Sequence, residues 1–138
     1  MAHQEHMQIG EVAQQTGLSL RTIRYYEEMG LVVPSARTSG GFRLYTDTDV
    51  ARLQVIKRMK PLDFTLEETK ELLDILDGLE STSSARRRTE LVDRLEMYHE
   101  AAQVRVAAVR EQLSVAEGFA SDLSQRIRSH KRATQRSR

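Results

Sequence analysis

Apolar residues recur at helical intervals along most of this chain, and the pattern changes in one short stretch. Ile9, Val12 and Ala13 fall at i, i+3 and i+4, which predicts a first short helix with a single apolar face. Gly17 ends it, where a positive φ costs little. Ser19 is placed to cap a second helix by accepting from an otherwise unpaired amide near Thr22. Leu20, Ile23 and Met29 are expected to face inward from that helix, and Gly30 to end it. Then the period shifts. Leu31-Val32-Val33-Pro34 reads as extended, because Pro34 biases Val33 away from helix. Ser39-Gly40-Gly41 supplies the turn of a hairpin whose second arm is Phe42-Arg43-Leu44-Tyr45. Alternation puts Phe42 and Leu44 on one face, Arg43 and Tyr45 on the other.

Helical spacing then resumes. Thr46 caps a third helix whose first turn carries Asp47 and Asp49, matching the positive end of the helix dipole. Val50, Leu53, Ile56 and Met59 form its buried face, and Lys60 ends it before Pro61. Thr65-Leu66-Glu67-Glu68 is a second capped start, with Leu66, Leu72, Leu73 and Leu76 on the apolar side and Gly78 as the stop. Residues 79–84 read as a polar linker. From about Ala85 to Arg128 only Gly118 interrupts the pattern. There Leu91, Leu95, Tyr98, Ala102, Val106, Val109, Leu113, Ala116, Ala120, Leu123 and Ile127 follow one another at intervals of three and four residues. This is a heptad seam with an extra-residue step between Ala102 and Val106.

At 1.5 Å per residue such a helix is roughly 60 Å long, more than a small globule needs for itself, so a second copy of the chain is expected to cover the seam. The alternative is an intramolecular hairpin folding back at Gly118, for which Phe119 to Ile127 is a short partner. The fold class is therefore mainly α. A winged helix-turn-helix of four helices and a small β-hairpin over residues 1–78 is followed by a long dimerisation coiled-coil helix over 85–128 and a basic tail over 129–138.

Composition narrows the chemistry. Aromatic residues make up 5% of the chain and Trp is absent, so burial must come mainly from aliphatic side chains on helices. There is no cysteine, which excludes a disulfide scaffold, a thiolate metal site and thiol redox sensing within this sequence. No apolar run approaches the roughly 20 residues of a membrane span, and no signal-peptide core follows the start, so no membrane partner and a cytoplasmic, nucleoid-associated setting are expected. His3 and His6, in the polar MAHQEHMQ start, are expected to face solvent in a frayed segment, the alternative being a weak metal site. No paired carboxylates, nucleophile–base set, phosphate loop or ligand cluster occurs at useful spacing, so neither an enzyme, a cofactor nor a metal is expected.

The net charge of +1 conceals an uneven distribution. Residues 1–60 carry eight Lys/Arg against six acids, 61–100 carry five against eleven, and 101–138 carry eight against three. A mildly basic head and a basic tail flank an acidic middle.

The candidate chemistry lies in the head and is that of a double-stranded DNA reader. Arg21, Thr22, Arg24 and Tyr25 point outward near the start of the second helix, the end from which a recognition helix reads bases. Arg supplies both phosphate charge and a bidentate fork for guanine. Arg37 and Arg43 are expected to reach phosphate from the hairpin, with Tyr45 as a hydrogen-bonding partner. Lys57 and Lys60 add charge on and after the third helix. For Tyr26 core packing is the better reading.

The run R-T-I-R-Y-Y-E-E-M-G-L at 21–31, followed by G-F-R-L-Y at 41–45, resembles the MerR family of bacterial transcription regulators. The resemblance is strong through residue 76 and continues as architecture. The family usually has Gly where this chain has Asp63, and Asp tolerates left-handed geometry better than most residues. Pro61 is a further departure and stiffens the exit of the third helix. The resemblance implies a homodimer with antiparallel long helices that binds an inverted repeat. It would bend and untwist promoter DNA so that RNA polymerase can use widely spaced promoter elements, an indirect readout that costs several kcal/mol. Many such regulators sense metals or oxidants through cysteines, a route closed here. Control then falls to an effector in a dimer-interface cavity, which Tyr98 and His99 could line, to a partner protein, or to abundance alone. For His99 a partly exposed coiled-coil position is favoured. The rival reading is an architectural or recombination accessory similar to excisionases, against which the long helix weighs. The tail is expected to be solvated, with a DNA-backbone role as the alternative.

Overall fold

The computed structural model describes residues 6–137, so His3, half of the weak metal site considered above, lies outside them. The elements follow in the order β1 (Met7–Gln8), α1 (Ile9–Thr16), α2 (Leu20–Glu28), β2 (Ala36–Arg37), β3 (Arg43–Tyr45) and α3 (Asp47–Met59). A 3-10 turn (Lys60–Leu62), α4 (Leu66–Ser81) and α5 (Ala85–Arg136) complete the chain. The chain divides into two compact units, one running to Glu96 and the other from Met97.

Local signals set the element starts. Ser19 accepts from the Thr22 amide at the start of α2. Thr46 and Thr65 each form a capping box, with Asp49 and Glu68 returning the bond to the cap residue's own amide. These bonds satisfy amides that a helix leaves without an intrahelical acceptor. Gly17 takes the left-handed conformation that closes α1. Asp63 adopts φ 59 and ψ 30, so a residue with a Cβ occupies the left-handed position after the 3-10 turn.

The three strands form one antiparallel sheet in the order β1-β3-β2, with Met7 opposite Tyr45 and Arg37 opposite Arg43. For Met7 and Gln8 the outer strand β1 corrects the expectation of a frayed segment, because Met7 is buried in the core, and residues 1–5 lie outside the described residues. That core gathers Met7, Val12, Ile23, Tyr26, Leu31, Val32, Tyr45, Leu53, Ile56 and Leu73 from both helices of the motif, the loop after α2, the sheet, α3 and α4. Leu20 and Met29, expected inside, are exposed at the two ends of α2, as its first residue and its C-cap. Val12, Ile23 and Tyr26 fill the space between α1 and its neighbours without them.

The two long helices differ from the sequence-based expectation in three respects. First, α4 runs through Gly78 to Ser81, leaving only residues 82–84 as the connection to α5. Gly78 is therefore a packing position and not a stop: a Cβ there would sit 2.9 Å from a δ-methyl of Leu91. Second, Leu91, the first residue of the expected dimer seam, is 1% exposed in its own chain and packs on α4. Arg94 pairs with Glu71 across the same two helices. Third, α5 continues as helix to Arg136, so most of the expected tail is ordered as part of it. From Val104 onward its apolar side chains, including Val106, Val109, Leu113, Leu123 and Ile127, are exposed. Ala116 and Ala120 are exposed with them, while Leu95, Tyr98 and Ala102 are half-buried.

Candidate nucleic-acid interface

Ser19 starts α2 one residue after Leu18, so the helix presents its first turns beside the tight Gly17-Leu18-Ser19 turn from α1. Ile23 and Tyr26, three apart, anchor its inner face. That places Arg21, Arg24 and Tyr25 outside: all three are exposed, and Tyr25 is 47% so. Thr22 is half-buried, its hydroxyl held by that of Ser19 at 2.8 Å. Among the described residues neither Arg21 nor Arg24 has a side-chain partner, so both keep their donors for a ligand. The Tyr25 ring leans on Tyr26 with centroids 5.8 Å apart and planes tilted by 52°. Burial, followed by the neighbouring Tyr25, raises the Tyr26 phenol above its ordinary range, as befits a core residue.

The wing arginines are engaged by a carboxylate of α2. Arg43 Nε meets the Glu27 carboxylate at 2.6 Å, and Arg37 lies 3.5 Å from the same group. Arg37 also donates to the Gly41 carbonyl across the hairpin turn. The bond to Glu27 raises the Arg43 guanidinium further above its usual range. Tyr45 lies on the same face as Arg43, as alternation predicts, but it corrects the expectation of a phosphate partner. It is fully buried, and its hydroxyl donates to Glu27 at 2.9 Å, while Phe42 is 67% exposed. Pairing with β1 on the far side puts Met7 against Tyr45 and closes that face, so the phenol is not available to a phosphate. Desolvation, then the bond to Glu27, pushes the Tyr45 phenol far above its ordinary value of 10.0.

Glu27 is the residue the sequence argument passed over. On α2 it holds Arg43, Arg37 and Tyr45 together, so helix and wing share one carboxylate. In the sequence it is one of two adjacent acids, Glu27 and Glu28, at the end of a helix that carries two arginines, and nothing local distinguishes it from its neighbour.

Lys57 is likewise occupied. Its ammonium donates to the Thr16 carbonyl at 2.6 Å, neutralising the carbonyl end of α1. Lys60 is exposed and lines, with Arg21, Thr22, Tyr25, Tyr26, Phe64 and others, a groove of about 490 Å³ between α2 and the start of α4. Behind the wing, Ser35 donates to Asp49 at 2.7 Å. Arg52 donates to the Leu31 carbonyl and forks onto Asp77, which fixes the loop after α2 to α3 and α4. Among the described residues no group of three or more His, Asp or Glu could hold a metal ion, and no helix is long and apolar enough to cross a membrane.

Comparison with known proteins agrees with this geometry. Residues 7–75 match the family described as MerR HTH family regulatory protein, and residues 50–128 match that described as MerR, DNA binding. Among curated proteins, the mercuric resistance operon regulatory protein of Bacillus cereus is 48% identical over 69 residues, half of this chain and 52% of its own. The regulator CueR of Escherichia coli O6:H1 is 37% identical over 99 residues, 70% of this chain and 73% of its own. The chain spans about half the length of most of the curated relatives it matches. A solved MerR-family regulator from Bacillus cereus superposes with a TM-score of 0.56 at 31% identity, covering 84% of this chain and 76% of its own.

Proposed function

Because the chain belongs to the MerR family of helix-turn-helix transcription regulators, we propose that it acts as a homodimer whose two heads grip the halves of an inverted-repeat operator and distort the promoter between them. The observation that carries the reading is the division of labour among the arginines. Arg21 and Arg24 on α2 are exposed and, among the described residues, unengaged, while Arg37 and Arg43 are held on Glu27 so that the wing keeps a fixed position beside the helix. One element is left free to bind and the other is built to be rigid, which is the preorganisation a sequence reader needs. Arg24, Arg37, Arg43 and Lys60 reach phosphate; Arg21, Thr22 and Tyr25 lie nearer the base edges. Arg37 and Arg43 would act there as one-sided contacts, each keeping its bond to Glu27.

The dimer reading rests on the exposed seam of α5. An antiparallel partner centred on Glu111 pairs Leu113 with Val109, Ala116 with Val106, Ala120 with Ala102 and Ile127 with Leu95. The seam is thus nearly self-complementary when reversed, as an isologous two-fold contact requires. Leu91 falls outside it because α4 already covers that position. Bending the DNA between two such heads costs several kcal/mol, offset by the second set of contacts, and RNA polymerase would be the partner that uses the altered promoter. The relatives named above are regulators of transcription, which favours a promoter role over the recombination-accessory reading.

The test is a mobility-shift titration on a duplex selected from genomic fragments by the full chain. Arg24→Ala is expected to weaken binding on all sequences and to flatten the salt dependence by about 0.9 per lost phosphate contact. Arg21→Ala or Tyr25→Phe should instead change sequence preference, at about 1–3 kcal/mol per lost base contact. An Arg24→Ala protein that titrates like the wild type overturns the mapping.

A further inference from the structure

The end of α5 carries a row of arginines that the promoter reading leaves unused. Arg128, Arg132 and Arg136 recur every four residues in the last turns of the helix. With Gln125, Ser129 and Ala133 they line one shallow groove of about 450 Å³. A separate groove on the same helix is lined by Leu123, Ile127, His130 and Thr134, among others. At 3.6 residues per turn, Arg132 lies half a turn round from Leu123, and Arg136 half a turn round from Ile127. A partner helix covering the apolar seam therefore leaves the arginine row facing water.

No acid follows Asp122 in the sequence, and Asp122 itself pairs with Arg126, outside the row. Among the described residues none of the three arginines has a side-chain partner. The side chains that share the groove with them, Gln125, Ser129 and Ala133, are small or uncharged, and Lys131 belongs to the other groove, so a ligand can approach the helix closely along the row. Four residues of helix rise about 6 Å, which suits a ligand with charges repeated at short regular intervals. Three planar guanidinium forks favour phosphate over a diffuse negative surface.

We infer that Arg128, Arg132 and Arg136 form a second, sequence-independent contact with the sugar–phosphate backbone of duplex DNA, separate from the heads. The inference deepens the DNA-binding reading and rests on it. It predicts that the whole molecule discriminates sequences through α2 but draws part of its total affinity from the tail of α5.

The experiment compares the full-length wild type, the R128Q/R132Q/R136Q variant and Arg24→Ala in salt titrations on one selected duplex and on a scrambled duplex. The triple variant is expected to lose affinity equally on both, keep the ratio between them, and flatten the slope of log K against log salt by about 2 to 3 per engaged protomer. Circular dichroism and sedimentation are recorded in parallel, because cations at a helix C-terminus also stabilise the helix itself. Unchanged slopes in the triple variant, beside a weakened Arg24→Ala protein, overturn the tail contact and leave the promoter reading intact. A loss of helix content or of dimer that by itself accounts for the weaker binding also overturns it, as does wild-type binding to anionic vesicles with no change on DNA. Failure of the wild type to prefer any duplex overturns the promoter reading as well.

Discussion

At the scale of single residues, Glu27 and Tyr45 determine whether helix and wing behave as one body. Tyr45 has no solvent exposure and gives its hydroxyl to Glu27. With its phenol pushed far above 10.0 by burial and then by Glu27, the unfolded chain ionises first as pH rises. The stability this residue supplies is whole below its unfolded pKa and declines as pH climbs above it. Tyr45→Phe is expected to cost about 1 kcal/mol near neutrality through the lost bond. That deficit should narrow near pH 10.5, where the wild type alone bears the penalty. Denaturant midpoints at the two pH values are the check, and a deficit that stays constant would assign the alkaline loss elsewhere. Asp63 offers a second single-residue test. Its φ of 59 is strained for a residue with a Cβ, so Asp63→Gly should raise stability by about 0.5–1 kcal/mol, read as a higher melting temperature.

Secondary-structure elements were largely legible because their signals are local. Ser19, Thr46 and Thr65 each sit beside the amides they cap, and the acids that complete the two boxes are three residues on. The failures came where a distant strand or helix decides. Alternation places Tyr45 with Arg43 and away from Phe42, and Tyr45 and Arg43 do both reach Glu27, but alternation does not say which residues are covered: Tyr45, opposite Met7 of β1, is buried and Phe42 is exposed. Gly78 has the look of a helix stop, yet its missing Cβ serves Leu91 on the next helix, thirteen positions along. Lys57 and Arg43 look alike as cations in the sequence, and only the fold reveals the carbonyl and carboxylate they hold. The packing at Gly78 supplies the prediction at this scale. Gly78→Val forces a branched side chain into the Leu91 methyl, and overpacking of this kind costs about 1–3 kcal/mol. The denaturant midpoint should fall while the denaturant slope holds, and an unshifted midpoint would mean that α4 and α5 do not pack closely in solution.

For the whole molecule, the two units carry different duties and fail differently. A charge at the centre of the proposed seam is unpaired in an apolar contact and costs several kcal/mol. Leu113→Glu should therefore sediment as a monomer, keep a folded head, and lose operator binding steeply, since half-site contacts no longer add. A dimeric Leu113→Glu protein would remove the seam from the interface. The close fit of Leu91 on Gly78 also bears on where the chain can be cut. A fragment ending at Gly78, where the sequence places the head's boundary, would leave Ile75 without Leu91 beside it and strip Arg94 from Glu71, exposing an apolar strip on the outside of α4. One ending at Glu96 keeps both. The shorter piece should aggregate or melt early and the longer one should give a sharp transition, so the first turns of α5 belong to the reader of DNA as its lid before they belong to the helix that joins two copies.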